Sequence, residues 1–254
     1  RPGGVVIKCV DKQEGLFPFG AGKFSSDSPV YLFATERIDN YFNLFDISNK
    51  RCCSIVGSGD HIINLALLGA KSISGFDCNL RALLWCELKI AALMLLSFEE
   101  YLTFFILRPL PERLSRRLDS TLYLRLRNYI SIEAQRLFDD AIIDPENSTS
   151  DRYFKVPRLD TYVQLRILPY LRDQESYLLA QRRIKDCSIY LTQVDVRNLF
   201  MQRGSEFDLI LLSNIADYTK DLFPDESCRL SAFEKHIVRP AFQSLKGGGQ
   251  LGLA

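Results

Sequence analysis

The residues best suited to chemistry sit in short turns. Ile55-Val56-Gly57-Ser58-Gly59-Asp60-His61 follows a β-rich run, Cys52 to Val56, and opens a helical run, Asp60 to Leu68, that Gly69 closes. Glycines at a strand-to-helix turn let backbone approach a ligand closely. The free N–H groups of the helix start favour an anion or a carboxylate. The dinucleotide fingerprint needs a further glycine at position 62, where this chain has Ile62. Asp77 follows the second β-rich run, Ser72 to Phe76, and lies 18 residues beyond Gly59. A carboxylate so placed can accept hydrogen bonds from both hydroxyls of a ribose, and ribose-binding folds put it about 20 residues on. Asp77 or Asn79 can equally serve as the cap of the next helix. Further turns are Gln193-Val194-Asp195-Val196, Phe207 to Asn214, and Leu245 to Leu251. Each alone is ordinary, but their order at consecutive strand ends is not.

These turns need a scaffold of alternating strands and helices. Asn79 to Leu96 is a long helix by the spacing of Leu80, Leu83, Leu84, Leu88, Ala91 and Ala92. Thr35 is expected to cap a helix through Glu36, Ile38, Tyr41, Phe42 and Phe45, and Ser97-Phe98-Glu99-Glu100 reads as a capping box. Helical period continues from Glu112 to Ile143, a polar loop covers Asp144 to Asp151, and another helix ends near Arg183. Strand runs follow at Cys187–Leu191 and Phe207–Leu212. A helix from Ser227 to Leu245 is expected to stop at Gly247-Gly248-Gly249, before a fifth strand at Gln250–Leu253. Alternation of this kind implies an α/β fold with a doubly wound, mostly parallel, Rossmann-like sheet and right-handed crossovers. Roughly 110 residues separate the second and third strands, where a crossover needs only a dozen or more. The expected organisation is an irregular arm over 1–30, a ligand-binding domain from 31–97 and 186–254, and a helical insertion over 98–185. That insertion is read as a lid or substrate wall, or as structural padding.

Composition narrows the function classes. Of 254 residues, 47% are hydrophobic and 25% charged, which argues against disorder. The net charge of +1 provides no global field for nucleic acid, and the arginines of 108–136 are matched by acids. The seven cysteines are odd in number and form no CxxC pair, so neither a disulfide framework nor a metal site is expected, and the cytoplasm is the expected location. No apolar run reaches the ~18 residues of a membrane span. Gly20-Ala21-Gly22-Lys23 imitates a phosphate loop but is followed by Phe24. The start at Arg1, with neither Met nor a signal-peptide pattern, is expected of a fragment.

The ordered turns resemble those of class I S-adenosylmethionine (SAM)-dependent methyltransferases across residues 50–254, apart from the insertion. By that resemblance Gly57, Ser58, Gly59, Asp60 and His61 border the methionine and ribose parts of SAM. Asp77 would hold the ribose diol and Asp195 the adenine amino group, with Cys78 and Val196 at the ring faces. Two departures stand out: Ile55 replaces a frequent acid two positions before the first glycine, and His61 replaces a third glycine. A narrower resemblance rests on Thr35-Glu36-Arg37-Ile38, Gly57-Ser58-Gly59-Asp60, Phe76-Asp77-Cys78-Asn79 and Glu87-Leu88-Lys89-Ile90-Ala91-Ala92. It is to a poorly characterised bacterial family similar to the betaine-lipid enzymes, which move the 3-amino-3-carboxypropyl group of SAM. Ser213-Asn214-Ile215-Ala216-Asp217 resembles their fourth motif.

The expected activity is a transferase moving a methyl or 3-amino-3-carboxypropyl group to a small-molecule or lipid-like acceptor. Asp217 is the expected base or orienter, with Asn214 and Tyr218 beside it. Two other classes remain: a catalytically silent SAM-binding or scaffold domain, and a nicotinamide-dependent dehydrogenase, which Ile62 and the placement of Asp195 disfavour. His61 is read as a SAM contact or a helix cap, and His236 as a surface or packing residue.

Overall fold

A computed structural model describes residues 28–106, 118–144, 148, 154–155, 167–201, 204, 206–224 and 227–253. Most of the expected arm, its phosphate-loop look-alike and residues 112–117 lie outside the described residues. The strands in chain order are β1 (Val30–Tyr31), β2 (Arg51–Ile55), β3 (Ser72–Asp77), β4 (Phe154–Lys155), β5 (Ser188–Gln193), β6 (Phe207–Leu211) and β7 (Leu245–Gly252). Five of them form one sheet in the order β5-β3-β2-β6-β7, and every pairing is parallel. The chain therefore winds outward from β2 through β3 to β5, returns, and winds the other way through β6 to β7. The crevice between the carboxyl ends of β2 and β6 is where a doubly wound sheet receives its ligand.

The central strands β2, β3 and β6 are largely buried, which is why they read as short apolar runs, whereas the edge strands β5 and β7 are partly exposed. Alternate residues feed two cores. Cys52, Leu209 and Leu211 pack in one, and Cys53 and Ile210 in the other. The first core lies under α2 (Asp60–Leu67) and α3 (Leu80–Leu95), and it continues into α4 (Phe98–Phe105), α5 (Ser120–Leu126), α6 (Ile132–Phe138) and α7 (Gln174–Asp186). Trp85 of α3 is its centre, with edge contact to Phe105 and tilted contact to Phe138 and Phe154. The second core lies under α8 (Val196–Leu199), α9 (Thr219–Leu222) and the helical stretch from Arg229 to Gln243.

Caps explain the boundaries. Asn79 caps α3 through Arg81 N–H, and Ser97 and Glu100 form the expected capping box on α4. The long helix expected from Glu112 to Ile143 is broken. Its described part is α5, a 3₁₀ turn Arg127–Tyr129, and α6 running into a π turn Asp139–Ile143. The break falls at Ser131, which is extended, caps α6 through Ala134 N–H and bonds to Glu87 of α3. Thr35 caps nothing: α1 (Ile38–Phe42) begins after Arg37, and Glu36 reaches across to another element instead. The expected last helix ends at Gln243 rather than Leu245. The three glycines fall inside β7, where pairing jumps from Phe207↔Leu245 to Leu209↔Gln250. Gly248, within that irregularity, has φ +79, a left-handed conformation that glycine adopts readily.

Candidate functional site

The turn after β2 is tight. Gly57 and Gly59 have φ of +53 and +85, and Gly59 N–H donates to Val56 C=O at 2.7 Å. A Cβ on Gly59 would lie 3.0 Å from Cys86 Cα, so that glycine serves packing against α3. A Cβ on Gly57 would meet nothing within 4 Å. One side of the turn is open and the other is pressed on the protein.

Asp60 anchors the pressed side. It is fully buried, as is Lys89 of α3, and the two pair at 2.6 Å. Tyr170 Oη also donates to Asp60 Oδ1, while Ala34 N–H and Ser58 Oγ donate to Oδ2. Lys89 Nζ donates further to Ser58 C=O at 3.0 Å and sits 4.2 Å over the Phe33 ring. Every lone pair of Asp60 and the ammonium of Lys89 are thus taken by protein. Ser58 and Asp60, expected as ligand contacts, hold the turn in place from behind.

Asp77 links two backbone segments at the end of β3. Its Oδ2 accepts from Gly57 N–H and its Oδ1 from Asn79 N–H, both at 2.9 Å. Asn79, not Asp77, is the side-chain cap of α3. Burial raises the Asp77 carboxyl to about 6 despite these bonds and further ones from Cys78. Beside it a narrow crevice, with room for about one water molecule, is walled by Ile55, Phe76, Cys78, Val196, Ile215 and Leu222. Asp195 also lines it, but its carboxylate is gripped by Arg197, at 2.9 Å on Oδ1 and 2.7 Å on Oδ2. Asp195 also caps α8 through Arg197 N–H, which leaves one lone pair on Oδ2 for another donor.

A second cluster sits where β2 and β6 end. Ser213, directly after β6, has φ +50, an uncommon and strained conformation for a residue with a side chain. Its Oγ donates to Glu36 at 2.9 Å. Glu36 Oε1 lies 3.3 Å from His61 Nε2, which also bonds to Tyr41 Oη. His61 is buried, and among the described residues its Nδ1 has no partner. Burial and the Glu36 charge push the Tyr41 phenol up. Tyr218 is half-buried at the end of the 3₁₀ turn Ser213–Tyr218. Asp217 is exposed in the same turn, and Asn214 belongs to its backbone. The base expected at Asp217 therefore stands outside the bonded group of Glu36, Tyr41, His61 and Ser213. By sequence, Glu36 and Tyr41 were both expected inside the helix that Thr35 would cap. The missed signal was a Glu outside the helix it seemed to open.

No protein-family model, curated protein or solved structure matches this chain. Among the described residues no helix is long and apolar enough to cross a membrane, and no cluster of His, Cys, Asp or Glu is suited to a metal ion.

The segment from Ser28 to Glu36 crosses this end of the sheet as a strap. Ser28 C=O accepts from Asn79 Nδ2 at 2.6 Å, and Leu32 C=O from Trp85 Nε1 at 3.0 Å. Ala34 N–H then reaches Asp60, and Glu36 reaches Ser213. Val30–Tyr31 pairs with Phe154–Lys155, which lies between β3 and β5 in the chain. Tyr170, also between β3 and β5, approaches the pressed side of the glycine turn through Asp60. The segment between β3 and β5 thus touches the turn from behind and through the strap.

Proposed function

We propose that this chain binds SAM at the carboxyl ends of β2, β3, β5 and β6. There it transfers a methyl or 3-amino-3-carboxypropyl group to a small-molecule or lipid-like acceptor. The observation that carries the reading is Asp77. It is a carboxylate fixed by the glycine turn on one side and the α3 cap on the other, next to a narrow, mostly apolar crevice. Burial holds its carboxyl above the usual range despite the donors from Gly57, Asn79 and Cys78, and hydrogen bonds from a ribose diol would offset that cost. Gly57, with open space where a Cβ would be, admits a ligand against backbone. Cys78, Val196, Ile215 and Leu222 offer apolar faces to a purine, and Asp195 Oδ2 retains a lone pair for an amino group. The crevice is narrower than a purine, so its apolar walls must part on binding.

SAM supplies an activated carbon on a sulfonium; the residues of this chain supply alignment. Asn214, Asp217 and Tyr218, on the turn after β6, would face the acceptor, Asp217 as base if the nucleophile carries a proton. The nucleoside product distinguishes the two chemistries. Protein incubated with SAM and lipid or small-molecule extracts is expected to release S-adenosylhomocysteine for methyl transfer, or methylthioadenosine for aminocarboxypropyl transfer. SAM that binds and is never consumed with any extract would instead support a silent binding domain.

A further inference from the structure

We propose that Glu36, on the strap, is the carboxylate that anchors the α-ammonium of the SAM amino-acid tail. This rests on the SAM reading and extends it to a residue remote from the glycine turn in sequence. An ammonium brought into a partly buried site must meet an acceptor, preferably an anion, or lose its hydration without return. The position two residues before the first glycine, where an acid would be expected, is Ile55, and it lines the apolar crevice. The other buried acids nearby are committed. Asp60 is saturated by Lys89, Tyr170, Ala34 and Ser58, and Asp77, bonded to Gly57 and Asn79, is assigned to the ribose diol.

Glu36 differs in three respects. It links the ends of β2 and β6, bonded to Ser213 after β6 and set against His61 after the turn that ends β2. Its side chain is 30% exposed, against 0% for Asp60, so part of it remains accessible. It is held as an anion, because burial would raise its pKa but His61 and Ser213 outweigh that and keep it low. Ser213 keeps a strained φ of +50 while its Oγ holds this carboxylate. Strain of this sort persists where the surrounding structure needs the side chain there. The missing acid of the turn is thus replaced in space by one delivered from the strap.

Calorimetry with two ligands tests the assignment. S-adenosylhomocysteine carries the ammonium, and 5′-methylthioadenosine has the same nucleoside and thioether without the tail. For Glu36→Gln, affinity for S-adenosylhomocysteine is expected to fall about tenfold or more, as for a lost charge-assisted bond. Affinity for methylthioadenosine should change by less than about twofold on the same arithmetic. Equal losses for both ligands would mean damage to the fold or the nucleoside crevice and would overturn the proposal. Unchanged affinity for both, with or without lost turnover, would overturn it as well. Wild-type protein that binds methylthioadenosine as tightly as S-adenosylhomocysteine would refute the anchor and leave the nucleoside site standing. Wild-type protein that binds neither would refute the SAM reading itself, and the anchor with it.

Discussion

Lys89→Met is expected to destabilise the fold by about 3–5 kcal/mol, the usual loss when one member of a buried ion pair is removed. Methionine keeps most of the volume, so the loss reports the missing ammonium. Asp60 would remain fully buried with Tyr170, Ala34 and Ser58 as donors but no counter-charge, and Ser58 C=O would lose its donor. That loss is a large part of the ~5–15 kcal/mol that holds a typical domain together. Adding Asp60→Asn to Lys89→Met should recover much of it, because no unpaired charge is then buried. Urea unfolding at neutral pH measures both. A single-variant loss below about 1 kcal/mol would contradict a buried, paired Lys89.

Asp77→Ala is expected to abolish most ligand affinity while changing stability far less. A ribose diol donating to a carboxylate makes two charge-assisted bonds of ~1.5–3 kcal/mol each, so affinity should drop a hundredfold or more. In the free protein, alanine leaves Gly57 and Asn79 N–H without their acceptor, at ~1–3 kcal/mol each. It also removes an ionised group that burial disfavours: a carboxyl raised to about 6 is worth ~3 kcal/mol against folding at pH 7. The two effects roughly offset at pH 7. The sign follows from the raised value. The folded protein binds this proton more tightly than the unfolded chain, so the contribution of Asp77 favours folding most at low pH and declines as pH rises through about 6. Asp77→Ala should therefore cost more stability at pH 5 than at pH 8. Wild-type affinity should fall as pH drops below about 6, because the proton competes with the diol for the carboxylate. Affinity that is flat from pH 5 to pH 8 would contradict the role given to Asp77.

The fold was legible where local chemistry and burial agree. β2, β3 and β5 were short runs closed by glycine or Asp turns, β6 was an apolar run, and of β7 only the end from Gln250 was read as strand, while Asn79 and Ser97 announced their helices through capping chemistry. Helical period alone failed between Leu118 and Ile143, because Ser131 leaves the helix to satisfy the buried Glu87, a tertiary demand that period cannot carry. The glycine triplet was read as a stop signal, although glycine serves a strand bulge equally well. At the site, glycine turns and Asp77 were visible because their spacing is local. The sorting of Asp60 from Asp77 was not, since it depends on Lys89 and Tyr170, which lie 29 and 110 residues away. A lysine in the otherwise apolar run Leu88-Lys89-Ile90-Ala91-Ala92 was the available hint. The Glu36–Ser213 contact spans 177 residues and had no local signature.

The most direct test of the central claim is a calorimetric titration of the wild-type chain with S-adenosylhomocysteine and, separately, with NAD. Both carry an adenosine whose ribose diol and purine need the same groups at first sight. Only the first matches a turn with Ile62 in place of the third glycine and a strap that brings Glu36 to the ends of β2 and β6. The account predicts a saturable heat with S-adenosylhomocysteine, lost in Asp77→Ala, and none with NAD over the same range. Saturable binding of NAD with no heat from S-adenosylhomocysteine would contradict it.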